Sequence, residues 1–138
     1  MLSITKRFEF EMAHLLSDYK GKCSFLHGHS YKLEVSITGE LAEGTDMLVD
    51  FNVIKELVEK EVIILLDHRL VLKDNHQNIK RFAISGEDVL WLPFEPTAER
   101  LILWIKEKIA IGLPKNIELY RLKLSETNTC FVEWINDR

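Results

Sequence analysis

The stretch Cys23-Ser24-Phe25-Leu26-His27-Gly28-His29-Ser30-Tyr31-Lys32-Leu33-Glu34-Val35-Ser36-Ile37-Thr38 decides the fold. In an extended strand every second side chain points the same way. His27, His29, Tyr31, Leu33, Val35 and Ile37 therefore share one face, and Ser30, Lys32, Glu34, Ser36 and Thr38 share the other. An apolar stripe backed by a polar one predicts a half-buried strand. The N-terminal segment repeats the pattern, with Phe8, Phe10, Met12 and His14 alternating with Arg7, Glu9, Glu11 and Ala13. Each apolar stripe has histidine at its end, and pairing the two strands would bring His14, His27 and His29 together.

Three neutral imidazoles suit zinc (Zn2+), which in catalytic sites commonly takes three protein ligands and keeps a fourth position open. One histidine at a sheet edge is an ordinary satisfied polar residue. Three of the chain's five histidines ending two apolar stripes point instead to a metal centre. No residue pattern suggests a redox metal. Cys23 is not needed as a fourth ligand and can act as a general base, while a closed structural site of one cysteine and three histidines stays open as a second reading.

Composition bounds the remaining possibilities. The 138 residues, 46% of them hydrophobic, form a chain long enough for one domain, 1–138, with its own core. The two cysteines give no disulfide framework, and Cys130, in an apolar stretch, reads as a packed thiol. Residues 1–10 lack an apolar signal core and no apolar run is long enough to span a membrane, so the expectation is a cytoplasmic protein with no membrane contact. A net charge of −4 argues against nucleic acid as partner. Residues 1–32 nevertheless carry Lys6, Arg7, Lys20, Lys22 and Lys32 against Glu9, Glu11 and Asp18. That local positive excess suits a phosphorylated small molecule, or only a solvated face.

The expected order is strand, strand, helix, inserted hairpin, helix, strand, strand. Asp50 is placed to cap a first helix whose apolar face is Ile54, Leu57, Val58, Val62 and Leu65. Residues 73–80 read as loop, and Arg81 to Ile84 with Val89 to Leu92 read as a hairpin around Ser85-Gly86-Glu87-Asp88. Pro96-Thr97-Ala98-Glu99 opens a second helix buried through Ala98, Leu101, Ile102, Ile105 and Ile109 and stopped by Gly112 and Pro114. Ile117 to Leu124 and Cys130 to Ile135 close the chain as strands. This is an α+β pattern with two helices on one face of an antiparallel β-sheet, and oligomerisation is the economical cover for the remaining face and edges. Two more groups can serve chemistry. Asp67 precedes His68, and a carboxylate beside an imidazole sets its tautomer and raises its basicity. Glu126, in a polar strand end, can accept two hydrogen bonds from a guanidine-like ring edge.

Phe10-Glu11-Met12-Ala13-His14, Cys23 to His29 followed by Tyr31, Val49-Asp50-Phe51, Leu66-Asp67-His68, Pro96-Thr97-Ala98-Glu99 and Glu126-Thr127, in that order, resemble the family of 6-pyruvoyl-tetrahydropterin synthase and 6-carboxy-tetrahydropterin synthase. The resemblance implies a tunnelling fold (T-fold), whose subunits join their sheets into a β-barrel as a homo-oligomer, a hexamer or tetramer, with sites at subunit interfaces. It implies zinc on His14, His27 and His29, Cys23 as base, and Asp67 with His68 as a second proton-transfer pair reaching in from a neighbouring subunit. Glu126 would anchor a pterin ring, with Thr97 or Glu99 assisting. The interval between Cys23 and His27 resembles the carboxy-tetrahydropterin synthases, which convert 7,8-dihydroneopterin triphosphate to 6-carboxy-5,6,7,8-tetrahydropterin, triphosphate and acetaldehyde in queuosine (7-deazapurine) biosynthesis. The sister pyruvoyl activity and a non-catalytic zinc or pterin-binding module are the alternatives. The segment Lys73 to Glu95 is longer than the family's usual link, and Leu70-Val71-Leu72 stands where an asparagine is often found.

Overall fold

The computed structural model describes residues 1–82 and 89–137. Strand β1 (Ser3–His14) pairs antiparallel with β2 (His27–Gly39), placing Met12 opposite His29 and His14 opposite His27. Helix α1 (Phe51–Val58) continues through a π-helical turn (Glu59–Ile63) into α2 (Ile64–Leu66). Then come β3 (Arg69–Lys73), α3 (His76–Phe82), β4 (Val89–Leu92), α4 (Ala98–Gly112), β5 (Ile117–Ser125) and β6 (Phe131–Ile135). The sheet order is β4-β3-β1-β2-β5-β6.

The helices start where the sequence offers caps. Asp50 accepts from the Asn52 N–H at 2.8 Å, and Thr97 Oγ1 accepts from the Arg100 N–H at 3.1 Å, each pairing one of the orphan donors of a helix N-terminus. Both long helical segments lie on one face of the sheet. Ile54, Val58, Val62, Leu66, Leu101, Ile105 and Ile109 pack on Phe8, Phe10, Tyr31, Leu33, Val35, Leu122 and Leu124, all buried. At about 1.5–3 kcal/mol per fully buried large apolar side chain, this layer dominates the favourable side of folding. The other face is wet and ionic, with Arg121 between Glu34 (3.5 Å) and Glu133 (2.7 Å), and Arg7 at 3.8 Å from Glu34.

Four details differ from the sequence reading. Leu66, not Leu65, is the buried end of the first helical face. The buried positions 54, 58, 62 and 66 are four apart, a step that creeps by about 40° around an α-helix. The wider π turn takes up that drift.

The expected inserted hairpin is instead a β-α unit. β3 pairs parallel with β1 (Met12–His14 against Arg69–Val71), and β4 pairs parallel with β3, so the sheet is mixed rather than wholly antiparallel. Parallel neighbours need a crossover, here containing α3. The side chain of Asn75 accepts from the Asn78 N–H at 2.8 Å, a helix-start signal that the loop reading of residues 73–80 overlooked. Arg81 lies in that helix, and Ile84 with the proposed turn Ser85-Gly86-Glu87-Asp88 falls outside the described residues.

Cys130 is exposed rather than packed, because it sits in the turn before β6 and not in that strand; Cys23 is exposed too, and both are free thiols. α4 ends at Gly112, as the sequence reading expected, but not through a left-handed glycine. Its φ is not positive, and a Cβ there would overlap Leu57 Cδ1 on α1. The glycine permits close approach of the two helices.

Gly112→Ala should therefore lower stability by about 1 kcal/mol through overpacking, despite alanine's better helix propensity. In a Leu57→Ala background the same change should become neutral or stabilising, read as a sign reversal in a double-mutant cycle of urea unfolding. A stabilising Gly112→Ala in the parent chain would refute the packing account.

Candidate metal and catalytic site

The β1–β2 register builds the centre. His14 closes β1 and His27 opens β2 as direct partners, and His29 follows on the same face. One ring nitrogen from each lies within 4.8 Å of the others. His14 Nδ1–H donates to the Pro96 carbonyl at 2.8 Å, and His27 Nδ1–H to the Phe25 carbonyl at 2.7 Å. A carbonyl only accepts, so each proton is on Nδ1 and each Nε2 presents a lone pair. Those two Nε2 atoms are 3.0 Å apart. Two acceptors facing each other at that distance repel, and a shared cation removes the repulsion. For comparison, donors on a tetrahedral zinc with bonds near 2.0–2.1 Å stand about 3.3 Å apart. His29 Nε2 is buried without a hydrogen bond, although Glu126 Oε2 lies 3.0 Å away, so their alignment and not their separation is at fault. Glu126 Oε2 is 4.0 Å from His14 Nε2. The arrangement can hold a metal ion on three nitrogens.

Surrounding groups keep the His14 imidazole neutral. His14 is lowered to about 4, first by burial and further by His27 and His29, against the opposing effect of its bond to Pro96. Tyr31, wholly buried, stacks on Phe10 at 5.0 Å between ring centroids and sets its ring edgewise to His14 and His29. Its hydroxyl has no partner, and burial followed by the charge of Glu126 raises its pKa.

The other candidates are dispersed around this centre. Cys23 lies in a single 3-10 turn (Lys22–Ser24), with its carbonyl accepting from the Leu16 N–H at 2.9 Å, and its sulfur is not in the three-histidine group. Asp67 accepts from the Glu11 N–H at 2.9 Å and lies 3.0 Å from His68 Nδ1; the Glu11 bond first, then His68, holds its carboxyl below the usual range. His68 ends the helical segment in a left-handed conformation, φ 59°, while its N–H donates to the Glu11 carbonyl at 2.6 Å. A non-glycine residue there stores about 1 kcal/mol or more of backbone strain, a feature that clusters at functional sites. His68 borders a cleft of about 430 Å³ shared with Glu11, Ala13, His29 and Ser30. No hydrogen bond or ion pair among the described residues joins the Asp67–His68 pair to the imidazoles of the same chain. Thr97 Oγ1 is used in the helix cap, and Glu99 is exposed in the first turn of α4. The Pro-Thr motif reaches the imidazoles through a group that sequence reading passed over, the Pro96 carbonyl. The Phe25 carbonyl was equally invisible, since backbone acceptors carry no residue signature.

Protonating His14 in the metal-free protein should cost stability. Its folded pKa is depressed from 6.5, so the unfolded chain binds the proton first, and stability should fall as pH drops from about 6.5 to about 4 and then level off. The full swing is roughly 3 kcal/mol. Urea unfolding across that range should show the slope in the parent and not in His14→Asn; equal slopes would disprove the assignment. Tyr31→Phe keeps the ring packing and removes an unpaired hydroxyl, so metal-free stability should hold or rise by about 1 kcal/mol. A loss above that would reveal a partner for the hydroxyl.

Comparison with known proteins places these features. The family model of 6-pyruvoyl tetrahydropterin synthase matches residues 3–136. The 6-carboxy-5,6,7,8-tetrahydropterin synthase of Rickettsia typhi is 34% identical over 137 residues, covering 96% of this chain and 99% of that protein. Its namesake from Haemophilus influenzae is 32% identical over 141 residues, covering 97% and 99%. The fold is that of the 6-pyruvoyl tetrahydropterin synthase of Caenorhabditis elegans, with a TM-score of 0.75 at 21% identity over 99% of this chain and 96% of the other. Matched by the family model and by these relatives along nearly its whole length, the chain belongs to the 6-pyruvoyl tetrahydropterin synthase family.

Proposed function

We propose that the chain is a zinc enzyme that converts 7,8-dihydroneopterin triphosphate and water to 6-carboxy-5,6,7,8-tetrahydropterin, triphosphate and acetaldehyde. The observation that carries this reading is the pair of Nε2 lone pairs at 3.0 Å with both Nδ1 protons committed to carbonyls, joined to relatives named for that product. Zinc suits a set of three imidazoles. When bound, it would supply Lewis acidity that makes protons on the substrate's side chain easier to remove.

The chain's own residues would divide the remaining work. His14, His27 and His29 hold the metal in a fixed orientation. Cys23, as thiolate, takes the proton from the side-chain carbon. Asp67 orients His68, which moves the second proton. Because no hydrogen bond or ion pair among the described residues joins Asp67 and His68 to the imidazoles of their own chain, we read that pair as serving the site of a neighbouring subunit. Glu126 anchors the pterin by accepting from the ring's guanidine-like edge once metal occupies the histidine nitrogens. Exposed Phe25 and Leu26 beside His27, and the outer edges of β6 and of Ser3 to Phe10 in β1, which pair with no other strand among the described residues, support assembly into a barrel, as a hexamer or tetramer, that completes each site.

Incubating the zinc-loaded protein with 7,8-dihydroneopterin triphosphate should yield carboxy-tetrahydropterin by mass and stoichiometric acetaldehyde. Pyruvoyl-tetrahydropterin without acetaldehyde would assign the sister activity. Cys23→Ala should lower turnover by about a hundredfold or more while zinc content stays intact. Loss of zinc in that variant would make the thiolate a ligand and the site a closed structural one.

A further inference from the structure

Two consecutive residues, Glu95 and Pro96, grip the two halves of the proposed site. The Pro96 carbonyl accepts from His14 Nδ1 at 2.8 Å. One residue earlier, the Glu95 carboxylate accepts twice from Ser17, from its N–H at 2.9 Å and from its hydroxyl. The Ser17 hydroxyl itself accepts from Asn75 Nδ2 at 2.8 Å, so its single proton is committed to Glu95. The carboxylate accepts from both Ser17 donors at once, whereas an amide in its place has one accepting oxygen, so the Ser17 hydroxyl proton would have to turn away from it. Charge-assisted bonds of this kind are the stronger class.

Ser17 belongs to the loop that carries Cys23. That loop leaves β1 after His14 and is closed at its base by the Leu16 N–H on the Cys23 carbonyl at 2.9 Å. Just before Ser17, Leu15 is buried against Leu72 and Phe82, from β3 and α3. Asn75 joins the same unit, since its side-chain oxygen accepts from Asn78 at the start of α3 and its amide holds Ser17. Leu72, Asn75, Phe82 and Glu95 therefore brace the start of the cysteine loop at Leu15 and Ser17.

We propose that Glu95 is a positioning residue which locks the Cys23 loop to the same dipeptide that orients His14, so that Glu95, with Asn75, sets where the thiol stands relative to the metal. The inference rests on the reading of Cys23 as the base. Glu95 touches neither the imidazoles nor the thiol, and acts through Ser17.

The experiment uses the full chain with and without Zn(II), comparing the parent with Glu95→Gln, Ser17→Ala and Ser17→Thr. Iodoacetamide labelling is followed by peptide mass, so Cys23 and Cys130 are read separately and Cys130, in the turn before β6, is the internal reference. Zn(II) should change the Cys23 rate in the parent and in Ser17→Thr, which keeps the hydroxyl. In Glu95→Gln and Ser17→Ala that zinc effect should shrink by about tenfold, with zinc stoichiometry and the Cys130 rate unchanged. Turnover, where measured, should show kcat falling with KM held. A parent thiol indifferent to zinc overturns the assignment of Cys23 itself. A zinc-sensitive parent with an equally sensitive Glu95→Gln overturns the positioning role alone, as does loss of zinc or of cooperative unfolding in Glu95→Gln, which would make Glu95 a residue of the fold.

Discussion

Everything at the candidate site depends on one register, the antiparallel pairing of β1 with β2 that sets His14 opposite His27 and Met12 opposite His29. A slip of one residue would turn every side chain of β2 to the other face. The apolar stripe from Tyr31 to Ile37 forbids that slip, because it would put Leu33, Val35 and Ile37 in water and Lys32 and Glu34 beneath the helices. The hydrophobic core thus fixes the position of polar ligands at its margin. The energy that orients the imidazoles comes from side chains several residues away, and the site needs no separate device to hold its strands in line.

Hydrogen bonds to backbone carbonyls finish the alignment. His14 and His27 each hand a proton to a carbonyl, from Pro96 before α4 and from Phe25 before β2. Both acceptors sit at boundaries of regular elements, where carbonyls have no ladder partner. Burial of His14 and the nearness of the other rings keep its imidazole uncharged. The result is a cluster of lone pairs that is electrostatically unfavourable when empty and favourable around a cation.

Much of this was legible in the sequence. Alternation gave β1, β2 and the buried face, and Asp50 and Thr97 announced their helices as capping residues. Val89–Leu92 was read rightly as a strand, but the stretch from Arg69 to Phe82 and the pairing of that strand were misread for physical reasons. Leu70, Val71 and Leu72 are a short apolar run whose periodicity cannot separate strand from helix end, and its partner strand β1 is remote in sequence. The start of α3 rests on one asparagine cap, a weak signal amid polar neighbours. Leu66 replaced Leu65 because a π turn is not encoded in any simple spacing. Gly112 ends its helix as read, while the use of its missing side chain is clearance for Leu57. The bond between Ser17 and Glu95 joins residues brought near only by the β-α unit, so neither residue type could have advertised it.

The β-α unit pairs with β1 only at Met12, Ala13 and His14, and Asp67 and His68 take up Glu11, leaving the outer edge from Ser3 to Phe10 free of any other strand among the described residues. An addition anchored at one extremity of a strand alters the surroundings of the chemistry without consuming the backbone donors and acceptors along the rest of it. Insertions of this kind are therefore cheap for such a sheet to accept. The wall around the thiol and the rim by which the sheet can be extended are separate physical resources, free to diverge independently.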